Sequence, residues 1–103
     1  MYIVIFIACA NNKEAAVIAN VLLQKKLVAC VNIIEKINSF FWWQGKIDSA
    51  KEVLLIAKSK KTNFKKIARL VKAKHSYDIP EIIALPVIAG HKLYLEWIDG
   101  SLG

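Results

Sequence analysis

Apolar residues run unbroken from Tyr2 to Ala8, a β-branched and aromatic stretch that predicts an interior strand covered on both faces. Asn11-Asn12 stops it, and Asn11 with Glu14 three residues on forms a helix N-terminal capping pair. From Lys13 to Lys26, Ala15, Ile18, Ala19, Leu22 and Leu23 recur at helical spacing, predicting a helix of about four turns. Lys25 and Lys26 suit the negative end of its dipole. Val28 to Ile34 and Glu52 to Lys58 read as two strands of a long antiparallel hairpin, turning at Gln44-Gly45 beyond Phe40-Phe41-Trp42-Trp43. Glu35-Lys36 interrupts the first arm and predicts a bulge, and Ile47 to Ala50 is weakly patterned. Thr62 is placed to cap a second helix whose buried stripe is Phe64, Ile67, Ala68 and Val71. His75 to Glu81 reads as a loop held extended before Pro80. Ile82 to Ile88 predicts a fourth strand, and Pro86 within it implies an edge or a bulge. His91 to Ile98 predicts a short terminal helix, stopped by Asp99-Gly100-Ser101.

The resulting order, β-α-β-β-α-β with a short C-terminal helix, is an α+β ferredoxin-like arrangement in one domain spanning 1–103. Both faces of the hairpin are apolar. Cys30, Ile34, Phe40 and Trp42 share one strand parity, while Val31, Ile33, Ile37, Phe41 and Trp43 share the other. Both helices belong on one face, so the second face calls for another copy of the chain. A hydrophobic content of 56% in 103 residues points the same way.

Composition narrows the classes of function. The net charge of +7 makes polyanions conceivable partners, but the charge gathers on the second helix, where a solvated face explains it. The RNA recognition motif shares the element order, yet it requires a basic-Gly-aromatic run on a central strand. Neither Tyr2–Ala8 nor Glu52–Lys58 carries one, so nucleic acid is not an expected partner. The apolar opening is about half a membrane span and has no basic segment before it, which predicts no membrane partner. Without a leader pattern a cytoplasmic setting is expected, with Cys9 and Cys30 as free thiols. No nucleophile–base pair, phosphate loop or paired carboxylates stand out, so no enzymatic activity and no organic cofactor are expected.

Five segments resemble the CutA family of divalent-cation-tolerance proteins. They are Leu27-Val28-Ala29-Cys30-Val31-Asn32, Phe41 to Ile47, Glu52-Val53 through Lys58-Ser59, His75 to Ile83, and Tyr94-Leu95-Glu96-Trp97-Ile98. They follow the family order over nearly the whole chain. The resemblance implies a ferredoxin-like subunit in a tight homotrimer, PII-like in architecture, with binding of copper or another divalent cation and a link to metal tolerance. Where family members often carry Pro-Gly mid-hairpin, this chain has Glu35-Lys36, and Lys74 stands where some carry a further histidine. Cys9 lies about two residues beyond the first-strand cysteine that some members use for copper.

His75 is the leading metal candidate, since an imidazole suits copper or zinc and a loop leaves it accessible. Cys30 and Cys9 complete a candidate set with it, within or across subunits; the bland alternative is a helix-capping His75 and two buried thiols. Trp43, Glu52, Lys58, Tyr77 and Glu81 form a second expectation, a polar pocket or an ion-pair network at the subunit junction. The competing function is a PII-like regulatory or structural trimer that binds metal incidentally.

Overall fold

In the computed structural model, which describes residues 1–103, the elements are β1 (Tyr2–Cys9), α1 (Asn12–Gln24), β2 (Cys30–Trp43), β3 (Lys46–Lys60), α2 (Phe64–Lys74), β4 (Ile82–Pro86) and α3 (Lys92–Ser101). A single 3₁₀ turn, Lys61–Asn63, leads into α2. The four strands form one antiparallel sheet in the order β2-β3-β1-β4, the ferredoxin-like topology expected from the element order.

Strand parity decides where the core sits. Ile3, Ile5, Ile7 and Cys9 of β1 lie opposite Ser59, Ala57, Leu55 and Val53 of β3, and all eight are buried on the helical face. Ala15, Ile18, Ala19 and Leu22 of α1, with Ile67 and Val71 of α2, close over them. Each fully buried Ile or Leu in this layer contributes about 1.5–3 kcal/mol. The one buried hydroxyl, that of Ser59, donates to the Leu27 carbonyl at 2.6 Å, so its burial leaves no unmet hydrogen bond.

Local chemistry fixes the ends. The Glu14 amide donates to Asn11 Oδ1 at 2.9 Å, forming the cap foreseen for α1. Thr62 does not cap α2; the helix starts two residues later behind the 3₁₀ turn, and the Asn63 amide turns to the Leu27 carbonyl instead. The register of β2 on β3 shifts between Ile34 and Ile37, with Lys36 at φ 59°, which is the predicted bulge. Gln44 (φ 51°) and Gly45 (φ 78°) make a two-residue turn whose two positive φ values match the twist of the strands. β3 is continuous from Lys46, so the weakly patterned Ile47–Ala50 is strand as well. Its partner strand holds it there, where side-chain periodicity alone gives no signal. β4 is an edge strand that ends at Pro86, shorter than expected, and leaves Ile88 exposed. α3 continues through Gly100 to Ser101, whose hydroxyl donates to the Trp97 carbonyl at 2.8 Å.

The second face of the sheet is only partly covered, and by an element not expected there. Tyr2 and Lys60 pair across β1 and β3 with the parity opposite to the core. Asp99 of α3 accepts from the Tyr2 hydroxyl at 2.6 Å and lies 2.7 Å from Lys60 Nζ, while Tyr94 sits beside Cys30. α3 therefore caps one end of this face. Further along this face Ile34, Ile83 and Leu85 stay exposed. The bulge reverses the parity of β2, so Phe40 (75%) and Trp42 (73%), grouped with Cys30 and Ile34 by sequence, are exposed on the opposite side of the hairpin tip. The chain measures 44 × 26 × 23 Å and exposes 6907 Å². A folded monomer of this size exposes about 5,800 Å².

Candidate functional site

The C-terminal ends of β1 and α2 meet the N-terminus of α1 at one corner of the molecule. Cys9, the last residue of β1, is fully buried. Glu14 comes from the first turn of α1, and His75 is the residue that ends α2. One donor atom from each (thiol, carboxylate and imidazole) lies within 4.8 Å of the other two.

Backbone groups hold this corner in place. Glu14 accepts from the Ala10 amide at 2.8 Å and from the Ser76 amide at 2.7 Å. Burial alone would raise the Glu14 carboxyl, but the Ala10 and Ser76 donors, with His75 nearby, hold it below its ordinary value. The imidazole of His75 is buried, with Nε2 at 2.7 Å from the Ala8 carbonyl and 3.8 Å from Glu14 Oε2. The Tyr77 amide donates to Nδ1 at 3.0 Å, so Nδ1 is an acceptor and Nε2 carries the proton given to Ala8. His75 was expected to be accessible in a loop. The structure places it in the interior, where it ties the end of α2 to β1.

Glu52 and Tyr77 extend the network. The Tyr77 hydroxyl donates to Glu52 Oε2 at 2.9 Å, and its ring lies 4.8 Å from that of His75. Burial, followed by the Glu52 hydrogen bond and charge, pushes the Tyr77 hydroxyl up to about 12. The Cys9 thiol is likewise pushed up to about 12, first by burial and then by the Glu14 and Glu52 carboxylates. At neutral pH it is a protonated thiol and not a nucleophile.

The other expected residues disperse within the chain. Cys30 lies opposite Lys58 on the second face, five residues along β3 from the partner of Cys9, about 16 Å away by strand rise. It does not join Cys9 and His75, and both cysteines are free. Lys58 Nζ contacts Cys30 Sγ at 3.4 Å and donates to Asn32 Oδ1, forming a separate cluster beside Tyr94. Glu52 and Lys58 do share a face, but six residues of strand, about 20 Å, separate them. Trp43 is at the hairpin tip, opposite Lys46, and Glu81 is exposed in the segment before β4. Of the expected pocket only Glu52 and Tyr77 meet in one chain.

Sequence reasoning gave Glu14 a capping role alone. The only signal that it does more is its place in the first helical turn after a strand ending in cysteine. Its meeting with His75 depends on two connections 61 residues apart closing on the same corner.

A family model described as "CutA1 divalent ion tolerance protein" matches residues 3–101. Divalent-cation tolerance protein CutA of Archaeoglobus fulgidus is 48% identical over 102 residues, covering 99% of each chain. A solved structure from Thermus thermophilus, "Divalent cation tolerance protein (Cut A1)", superposes with TM-score 0.98 at 38% identity over 100% of both chains. The chain is also 40% identical over 99 residues to rice "Protein CutA 1, chloroplastic", covering 96% of this chain and 56% of that protein. It thus spans about half the length of its plant relatives.

Proposed function

The chain belongs to the CutA1 divalent ion tolerance family, and on that premise we propose that it is a homotrimeric, non-enzymatic binder of divalent cations. The observation that carries the reading is the convergence of Cys9, Glu14 and His75 within 4.8 Å. Thiolate, imidazole and carboxylate together suit copper or zinc better than calcium or magnesium, which prefer oxygen alone. Ligands around a tetrahedral ion stand about 3.4 Å apart, so the cluster has to contract by little more than an ångström. The carboxylates that disfavour a Cys9 thiolate would favour a dication that replaces its proton. His75 would have to release either the Ala8 carbonyl or the Tyr77 amide to ligate.

Assembly as a homotrimer fits the uncovered second face and the exposed aromatic tip, which together leave about 1,100 Å² more surface than a monomer of this size needs. Two free cysteines on opposite faces of the sheet accord with a reducing, cytoplasmic setting.

A second reading is a PII-like structural or regulatory trimer in which the same corner is only a lock. It is favoured by the full use of both imidazole nitrogens by the backbone. Calorimetric copper titration of the apo protein separates the two. The proposal requires a defined stoichiometry that both Cys9→Ser and His75→Ala reduce, and isotherms unchanged in folded variants would leave the lock alone.

A further inference from the structure

The helical layer carries a feature unrelated to the corner site. A surface cavity of about 600 Å³ lies between the end of α1 and α2, lined by Lys25, Leu27, Lys66, Arg69, Leu70 and Ala73. Its composition is divided. Leu27 and Leu70 form an apolar floor continuous with the main core, and Ala73 widens it. Lys66, Arg69, Leu70 and Ala73 stand at i, i+3, i+4 and i+7 of α2, so cations and floor share one helical face. No acidic residue lines the cavity, and none of its three cations has an ion-pair partner. The chain's Lys–carboxylate ion pairs are Lys60–Asp99 and Lys92–Glu96, and Glu14 faces His75 at the corner site. Three uncompensated cations around an aliphatic floor repel one another unless an anion joins them. The volume is in the range that holds small organic ligands, and the cavity opens on the side of the sheet away from the uncovered face.

We propose that this cavity binds a small amphipathic anion, a single molecule with a phosphate or carboxylate head on Lys66, Arg69 and Lys25 and an aliphatic body on Leu27 and Leu70. Charge complementarity selects the head. The apolar floor discriminates against bare inorganic anions, which gain nothing from Leu27 and Leu70. The groove is open to solvent, and a planar membrane surface would meet its exposed rim cations but leave the half-buried Leu27 and Leu70 uncontacted, which favours a free monomeric ligand.

Octyl phosphate, kept below its micellar concentration, is a suitable probe for calorimetry on the full chain. Saturable binding is expected, with one ligand per chain and an affinity at least about tenfold above those of inorganic phosphate and of octyl glucoside. It should weaken about tenfold or more in Lys66→Gln/Arg69→Gln, whose exposed positions leave the core untouched. Lys13→Gln/Lys92→Gln, which removes two cations outside the cavity, should bind like the parent. The proposal is overturned if the groove variant binds equally well, or if phosphate or the glucoside matches octyl phosphate. It is also overturned if only anionic phosphatidylglycerol vesicles bind.

Discussion

Replacing Glu14 by alanine removes the acceptor shared by the Ala10 and Ser76 amides while leaving the Asn11 cap of α1 intact. A hydrogen bond to a charged group contributes about 1.5–3 kcal/mol. The Ala10 bond is partly buried and earns a value within that range; the Ser76 amide is exposed, so water recovers part of its loss. The sum is about 3 kcal/mol, a large share of the 5–15 kcal/mol typical of a domain. The pH dependence has a definite sign. Glu14 is held below its ordinary value in the folded chain, so its contribution is complete above the unfolded value of about 4.3 and is lost as pH falls through the lowered folded value. Guanidinium unfolding at fixed protomer concentration should show the parent well above Glu14→Ala at neutral pH, with the gap narrowing in acid. Glu14→Gln, which keeps an acceptor without the charge, should fall between them. A gap that does not change with pH, or no gap at all, would refute the account of this corner.

Other consequences are as direct. Phe40→Ser/Trp42→Ser removes exposed apolar area at the hairpin tip and should shift the proposed homotrimer toward monomer in sedimentation, while unchanged assembly would place any subunit contacts elsewhere. Tyr77→Phe should abolish the tyrosine absorbance step near about 12 and cost about 1–3 kcal/mol by leaving Glu52 without its donor. Retention of that step would mean that another tyrosine produces it. Leu55→Ala, at the centre of the helical face, should destabilise by about 2–5 kcal/mol in thermal or denaturant unfolding, and a cost below about 1 would mean that the core collapses around the gap.

The elements were legible because their signals are local: the capping pair at Asn11, the paired positive-φ turn at Gln44-Gly45 and the bulge at Glu35-Lys36 all lie within a few residues. The site was legible in its parts only. Cys9 and Cys30 both sit in strands apolar on either side, so composition cannot tell which face each thiol takes, and they take opposite ones. Glu52 and Lys58 have the same parity, but shared parity fixes a face and not a neighbourhood. α3 was read as a helix without a docking place, because an amphipathic stripe says only that something covers it. Asp99, which anchors α3 to Tyr2 and Lys60, looked like a stop signal. The solvent-facing appearance of His75 in a loop gave way to a ring whose two nitrogens serve the backbone.

Metal binding at the Cys9–Glu14–His75 corner is decided by anomalous diffraction at the copper edge from crystals soaked in a copper salt. A peak is expected within bonding distance of Cys9 Sγ, a Glu14 oxygen and a His75 nitrogen, with the ring released from Ala8 or Tyr77. Peaks confined to Cys30 or His91, with the His75 hydrogen bonds unaltered, would contradict it.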